Sequence, residues 1–245
     1  MFVFFAQIVG CMLHVIGTMA PLGALNHLLY AMEDATQAST STGEIASGRL
    51  QQGRRLPTRG ENFSSYSELG SLLGRTHVHS AVHDTLLDAY AALKSSHPRH
   101  RFVYAETGWP KGGSFAPHHT HQNGLSVDFV VPVVKRPSHG EDPPPPSSLY
   151  CGLWNMWCYG VTFDAEGHTA THAIDFEALG AHLIALDDAA RTHGTRIERV
   201  ILAPDLRAHL LATSHGAAIE KRLQFLQGKA WVRHDDHYHV DFAKP

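Results

Sequence analysis

Apolar positions recur at helical spacing in two stretches of the chain. Val78, Val82, Leu86, Leu87, Tyr90 and Leu93 fall on one helical face, and Phe176, Leu179, Leu183 and Leu186 mark a second amphipathic helix. The first is expected to end over 96–100, where Pro98 cannot continue it. Runs rich in β-branched and aromatic residues at 101–105, 128–134, 159–163 and 197–202 read as strands. A turn is expected over 164–167, and a short helix over 205–212 after Pro204. A last strand is expected at the C-terminal end, where His237, His239 and Asp241 alternate with Tyr238 and Val240. Strands and helices mix without a regular βαβ rhythm, and no internal repeat is visible. The pattern predicts an α+β fold with a mainly antiparallel sheet flanked by helices.

The remaining stretches lack such periodicity. Residues 107–119 form a loop rich in turn residues, with Gly108, Pro110, Gly112, Gly113 and Pro117. Four prolines in a row, Pro143 to Pro146, sit in a polar insertion read as a loop of polyproline II type. Residues 33–61 are rich in Ser, Thr, Gly, Gln and Arg and are expected to be a flexible linker. Residues 1–32 contain no Asp, Glu, Lys or Arg and run mostly apolar to Leu25, as an export signal or membrane anchor would. A basic leading segment is missing, and Gly10, His14, Gly17 and Pro21 interrupt the run. The expected organisation is therefore a signal or anchor at 1–32, a linker at 33–61 and a compact domain at 62–245.

Composition changes this picture in three places. At 245 residues and 43% hydrophobic content, the chain can bury one substantial core. A net charge of −3 with no basic stripe gives no electrostatic support to a nucleic-acid partner. Cys151 and Cys158 suit a bridge across a short loop in an oxidising compartment, or two unpaired thiols; both readings stand. Neither the number nor the spacing of the cysteines suits a Cys-based zinc site.

The departure from ordinary composition is histidine, at 20 residues. Two stretches give it ligand-like spacing. His121 and Asp128 lie seven residues apart, and His237 and His239 form a His-x-His pair. Zinc takes N and O donors, and its catalytic sites use three protein ligands with one position open to water. Side chains two apart on a strand face the same way, so His237 and His239 project together with Asp241. One imidazole of the pair can bind the ion while the other moves a proton beside it. Gly124 allows a turn that brings His121 and Asp128 onto one ion. Other hydrolytic signatures are missing. The chain has no His-Glu-x-x-His, no Ser-x-x-Lys and no Gly-x-Ser-x-Gly, so a serine acyl-enzyme is not expected.

These residues carry a family resemblance. The stretches Pro-His-His-Thr-His-Gln-Asn-Gly-Leu-Ser-Val-Asp (117–128) and Trp-Val-Arg-His-Asp-Asp-His-Tyr-His-Val (231–240) resemble the penicillin-insensitive murein endopeptidases. That family belongs to the wider group of lysostaphin-type, D-alanyl-D-alanine and hedgehog-type zinc peptidases. Weaker similarity runs through 108–115 and 196–211. The resemblance implies a hedgehog/D-Ala-D-Ala peptidase-like fold over 62–245. It implies Zn2+ held by His121, Asp128 and His239, with His237 as the catalytic imidazole and His118 and His234 as further active-site histidines. It further implies a β-lactam-insensitive endopeptidase that cuts D-alanyl to diaminopimelyl cross-links of peptidoglycan in the periplasm or cell envelope. Membrane attachment through the N-terminus is consistent with that setting. Two other outcomes remain. One is a D,D-carboxypeptidase, which needs a cationic anchor such as Arg101, Lys111 or Arg233. The other is a zinc-containing module that binds wall or protein without cutting it. Glu106 and Trp109 either line the groove or are a solvated loop acid and a packing residue.

Overall fold

A computed structural model describes residues 22–34, 36–136 and 160–245. At its centre is a five-stranded sheet. In chain order its strands are β4 (Phe63–Ser65), β6 (Phe102–Tyr104), β7 (Ser126–Val130), β10 (Ile197–Ile201) and β11 (His237–Phe242), and across the sheet they run β10-β11-β7-β6-β4. Three pairings are antiparallel and the β4–β6 pairing is parallel, so the sheet is mixed and mainly antiparallel. The α+β class read from the sequence is the one observed.

Period-two alternation divides this sheet into two chemically different faces. Val127 and Phe129 of β7, with Tyr238, Val240 and Phe242 of β11, enter the main apolar core. Ser126 and Asp128, with His237, His239 and Asp241, point to the other side. The antiparallel register places His239 opposite Asp128 and Asp241 opposite Ser126. A one-residue slip would exchange the two faces, so burial of the aromatic and aliphatic set fixes where the histidines go.

Two long helices cover the apolar face. Helix α3 (Ser80–Ser96) starts at His79, whose side chain accepts the Ala81 N–H. It buries Val82, Thr85, Leu86, Ala89, Tyr90 and Leu93, the stripe seen in the sequence. Helix α4 (Phe176–Thr192) is capped by Asp175, which accepts the Ala178 N–H, and packs along α3. Shorter helices complete the shell: α1 over 22–31, α2 (Glu68–Leu72), α5 (Pro204–Leu211) and α6 (Gly216–Arg222). Among the described residues no helix is long and apolar enough to cross a membrane.

Three expectations need correction. The strand expected over 128–134 is two strands. β7 ends at Val130, and β8 (Val133–Lys135) pairs with β9 (His172–Ile174) in a separate ribbon. Pro132 lies between them and has no N–H for a continued ladder. Asp128 is consequently in the middle of its strand rather than at its start. Residues 160–163 form no strand. Their backbone is held instead by carboxylates, with Gly160 N–H donating to Asp236 and Phe163 N–H to Asp235. The linker expected over 33–61 carries three strands: β1 (Thr40–Thr42), β2 (Arg49–Gln51) and β3 (Arg54–Arg55), which pairs with β5 (His77–Val78). Leu50 and Leu56 in it are buried at 2% and 1% exposure, which places the segment in the folded body. The turn over 164–167 is present, with Gly167 N–H bonded to Asp164 O. Most of the uncharged N-terminal run, the proline run and all three cysteines lie outside the described residues.

Candidate metal centre

Asp128 is the point on which the site converges. It is buried at 1% exposure in the middle of β7. His121 reaches it from the loop before that strand. Two turn residues shape this loop: His121 has φ 66° and Gly124 φ 77°. At Gly124 a Cβ would lie 2.7 Å from Leu50 Cδ2 and 2.8 Å from the His79 nitrogen, so glycine answers both the backbone angle and the space. The segment expected as a linker clasps the same loop, with Ser41 Oγ donating to Asn123 O and Gln122 N–H to Ile45 O.

Three imidazoles meet this carboxylate, and each is oriented by an acceptor behind it. His121 donates from Nδ1 to Thr107 O (3.1 Å). Its Nε2 is therefore the lone-pair nitrogen; it is buried, makes no hydrogen bond, and lies 3.4 Å from Asp128 Oδ1. His118 donates from Nε2 to Glu106 Oε2 (2.5 Å), which leaves Nδ1 3.6 Å from Asp128 Oδ2. His239 donates from Nε2 to Asp241 Oδ1 (2.7 Å), and its Nδ1 is 2.7 Å from Asp128 Oδ1. A second hydrogen bond that fixes tautomer and ring direction is the usual companion of a metal-binding histidine.

The supporting carboxylates differ from Asp128 in how their charge is balanced. Asp241 accepts Ser126 Oγ and is paired with Arg199. Glu106, fully buried, is paired with Arg75 and accepts the Tyr66 hydroxyl. Asp128 is met by imidazoles. Burial pushes its pKa up, but His121 and His239 outweigh that and hold it well below the usual carboxylate value. Burial lowers the pKa of His121. Burial would also lower that of His239, yet Asp241 and Asp128 raise it to about 10. Without a metal, the proton on His239 Nδ1 neutralises Asp128; a cation at the same carboxylate would take over that task.

His118, His121 and Asp128 form a buried group that could hold a metal ion, their donor atoms lying within 4.8 Å of one another. The structure brings His118, read from the resemblance as a catalytic histidine, into this donor group. His239, read as a ligand, reaches the same carboxylate. His237 and His234 stand beside the group, their rings 4.5 Å apart. His237 Nδ1 is 2.5 Å from Asp236 Oδ1, and Asp236 Oδ2 accepts Gly160 N–H. His234 donates from Nδ1 to Val232 O, and burial lowers its pKa to about 4, so its imidazole is neutral near pH 7. All six histidine and aspartate positions singled out in the sequence thus gather at one place. A cleft of about 490 Å³ opens over them, lined by His118, Asp128, His234, His237 and His239, with Trp231 at its side.

From the sequence Glu106 is either a groove residue or a solvated acid. The structure makes it the buried acceptor that orients His118. Its position just after the buried β6 was the available signal, since a carboxylate in such surroundings needs charged partners. Trp109 is a packing residue, edge-on to Phe115 and beneath the Arg75 guanidinium. Arg199 and Arg75 were not anticipated, because long-range pairing has no local pattern; Asp236, next to His237 in the quoted motif, was in view but was given no role. Neither a scan against protein-family models nor a search of curated proteins returned a match for this chain.

Proposed function

We propose that this protein is a zinc-dependent endopeptidase, with a hedgehog/D-Ala-D-Ala peptidase-like domain, that hydrolyses D-alanyl to diaminopimelyl cross-links of bacterial peptidoglycan. The observation that carries the reading is the buried Nε2 of His121, which lacks a hydrogen bond and faces a carboxylate shared with two further imidazoles. An unsatisfied buried acceptor is costly unless something else uses its lone pair. The donor set of imidazole nitrogens and one carboxylate is the chemistry zinc prefers. His121, Asp128 and His239 would hold the ion, with His118 at hand as a fourth donor or as a group facing the substrate. When bound, zinc supplies a Lewis acid for the amide carbonyl and lowers the pKa of water.

The chain's own residues supply the rest. His237, held by Asp236 beside the ligand His239, is placed to take a proton from the attacking water and pass it to the leaving amine. His234, neutral in its buried setting with its Nδ1 proton on Val232 O, presents Nε2 as an acceptor for a substrate N–H or the attacking water. No serine nucleophile is invoked, so β-lactams have nothing to acylate. The substrate and the periplasmic or envelope location rest on the motif resemblance. Action on a bond inside the polymer, rather than on a free D-alanine end, is favoured by the charge of the cleft. Its described lining holds one Lys or Arg, Arg233, and that guanidinium is engaged by Asp205 and Asp235. Arg101 is directed elsewhere, to Phe63 O.

The test is digestion of purified peptidoglycan by the zinc-loaded protein, with and without a chelator, and products read by mass. Cross-linked dimers should fall to monomers only without the chelator. Intact dimers with shortened stems would establish a carboxypeptidase instead. Unchanged material that retains bound protein would establish a binding module.

A further inference from the structure

A second hollow, of about 370 Å³, adjoins the metal cleft. Ile201 and the run 231–234 border both, so this run is a partition with the metal cleft on one side and the second hollow on the other. The second hollow is largely apolar, and its lining includes Leu202, Pro204 and Leu226. Besides Arg233, which Asp205 and Asp235 engage, the lining holds two cations, Arg207 and Lys229. Arg207 is half-buried on α5 and lies over the Phe225 ring at 5.1 Å. It donates from Nε to Leu202 O (3.1 Å) and from Nη2 to Leu226 O (3.0 Å). These carbonyls orient the guanidinium without neutralising it. Among the described residues no carboxylate lies within ion-pair distance of Arg207, whereas Arg75, Arg199, Arg222 and Arg233 each have one. A fork fixed by two carbonyls, with its remaining N–H groups at an apolar hollow, is pre-organised for a planar anion.

We propose that this hollow is a second substrate subsite, which seats the distal arm of a two-armed peptide by pairing that arm's carboxylate with Arg207. The inference rests on the endopeptidase reading and extends it. A cross-linked dimer has two peptide arms to place, and the partition gives each arm its own hollow. Trp231, 56% exposed on the partition and edge-on to His119 at 5.1 Å, offers an apolar surface for the chain crossing between them.

The test uses two probes, a cross-linked muropeptide dimer whose distal arm ends in a free carboxylate and the same dimer with that carboxylate amidated. Wild-type protein, zinc-loaded, should prefer the free acid in kcat/KM by about tenfold to a hundredfold, the worth of a charge-assisted contact. Arg207→Met should bring the acid-to-amide ratio close to one. Ala230→Phe, which fills the hollow without removing the guanidinium, should do the same and guards against a local folding defect in the first variant. Circular dichroism and metal content establish that each variant is folded and loaded. Wild-type preference for the acid retained in both variants would overturn the subsite. If the wild type cleaves neither dimer, the endopeptidase reading fails, and calorimetric binding of the two probes still decides the subsite. Tighter binding of the acid, lost in Arg207→Met, supports it, and equal binding of acid and amide overturns it.

Discussion

At the residue scale the site turns on which nitrogen of each histidine is available. Thr107 O holds the Nδ1 proton of His121, and Asp241 holds the Nε2 proton of His239, so His121 Nε2 and His239 Nδ1 face Asp128. Zinc-loaded protein is therefore expected to carry about one ion per chain. His121→Ala, Asp128→Ala and His239→Ala should each lose it, as read by atomic absorption. His237→Ala should keep most of the metal while turnover falls by about 10²–10⁴-fold, the range for a lost general acid–base group. Loss of metal in His237→Ala with retention in His239→Ala would exchange the two roles. Gly124 makes a stability prediction. Gly124→Ala meets both a φ of 77° and contact with Leu50. It should destabilise by about 1–3 kcal/mol in a denaturant titration. A change under a few tenths would mean that the loop relaxes.

At the element scale, β7 and β11 do two jobs through alternation. Their odd-numbered apolar positions on β7 and even-numbered ones on β11 build the core, and the intervening positions build the site. This was legible in the sequence, because His237, His239 and Asp241 alternate with Tyr238 and Val240. The register that sets His239 against Asp128 was not legible, since pairing between strands more than a hundred residues apart leaves no local trace. The break at Pro132 could have been read from proline's missing donor, yet the apolar run on both sides of it reads as continuous. The core face also contains a titratable group. His182 of α4 packs among Tyr90, Phe102 and Phe129, with ring centroids 5.4, 5.0 and 4.8 Å away, and its Nδ1 meets the Tyr238 hydroxyl. Burial lowers its pKa from 6.5 to about 3. The unfolded chain therefore takes up this proton first, and stability falls as pH drops from about 6.5 toward 3, on the order of 1 kcal/mol per pH unit. The depressed pKa values of Asp128 and Asp241 withdraw their support only at more acid pH. Denaturant midpoints of chelated protein should fall between pH 6.5 and 4.5, and less steeply in His182→Gln. Equal slopes in the two proteins would remove His182 as the cause.

At the scale of the whole molecule, the stretch before the main sheet is part of the site's support. Residues 33–61 look like a linker because their polar composition shows no periodicity; Leu50 and Leu56 are too isolated to make a pattern. Their burial depends on partners far along the chain. Leu50 N–H bonds to Lys111 O and its side chain packs at Gly124, so β2 closes over the loop that carries His121. Leu50→Ala is expected to cost about 2–5 kcal/mol, as for other buried leucines, and to weaken metal retention with it. A stability loss without any change in metal affinity would show that the loop holds its shape unaided. The histidine and aspartate positions of the site were visible as motifs because short spacing encodes them. The residues that orient them from a distance, Glu106, Arg75 and Arg199, were not, because each arrives from a different element.

The central claim is that a metal held at Asp128 drives hydrolysis of a peptide cross-link. Its most direct measurement is cleavage of a defined muropeptide dimer joined through D-alanine and diaminopimelate, followed by mass with no addition, with chelator, with chelator then zinc, and with penicillin. The account predicts monomers in the untreated sample, none with chelator, restored cleavage on adding zinc, and no effect of penicillin. Cleavage that survives complete removal of metal, or that penicillin abolishes, would contradict it.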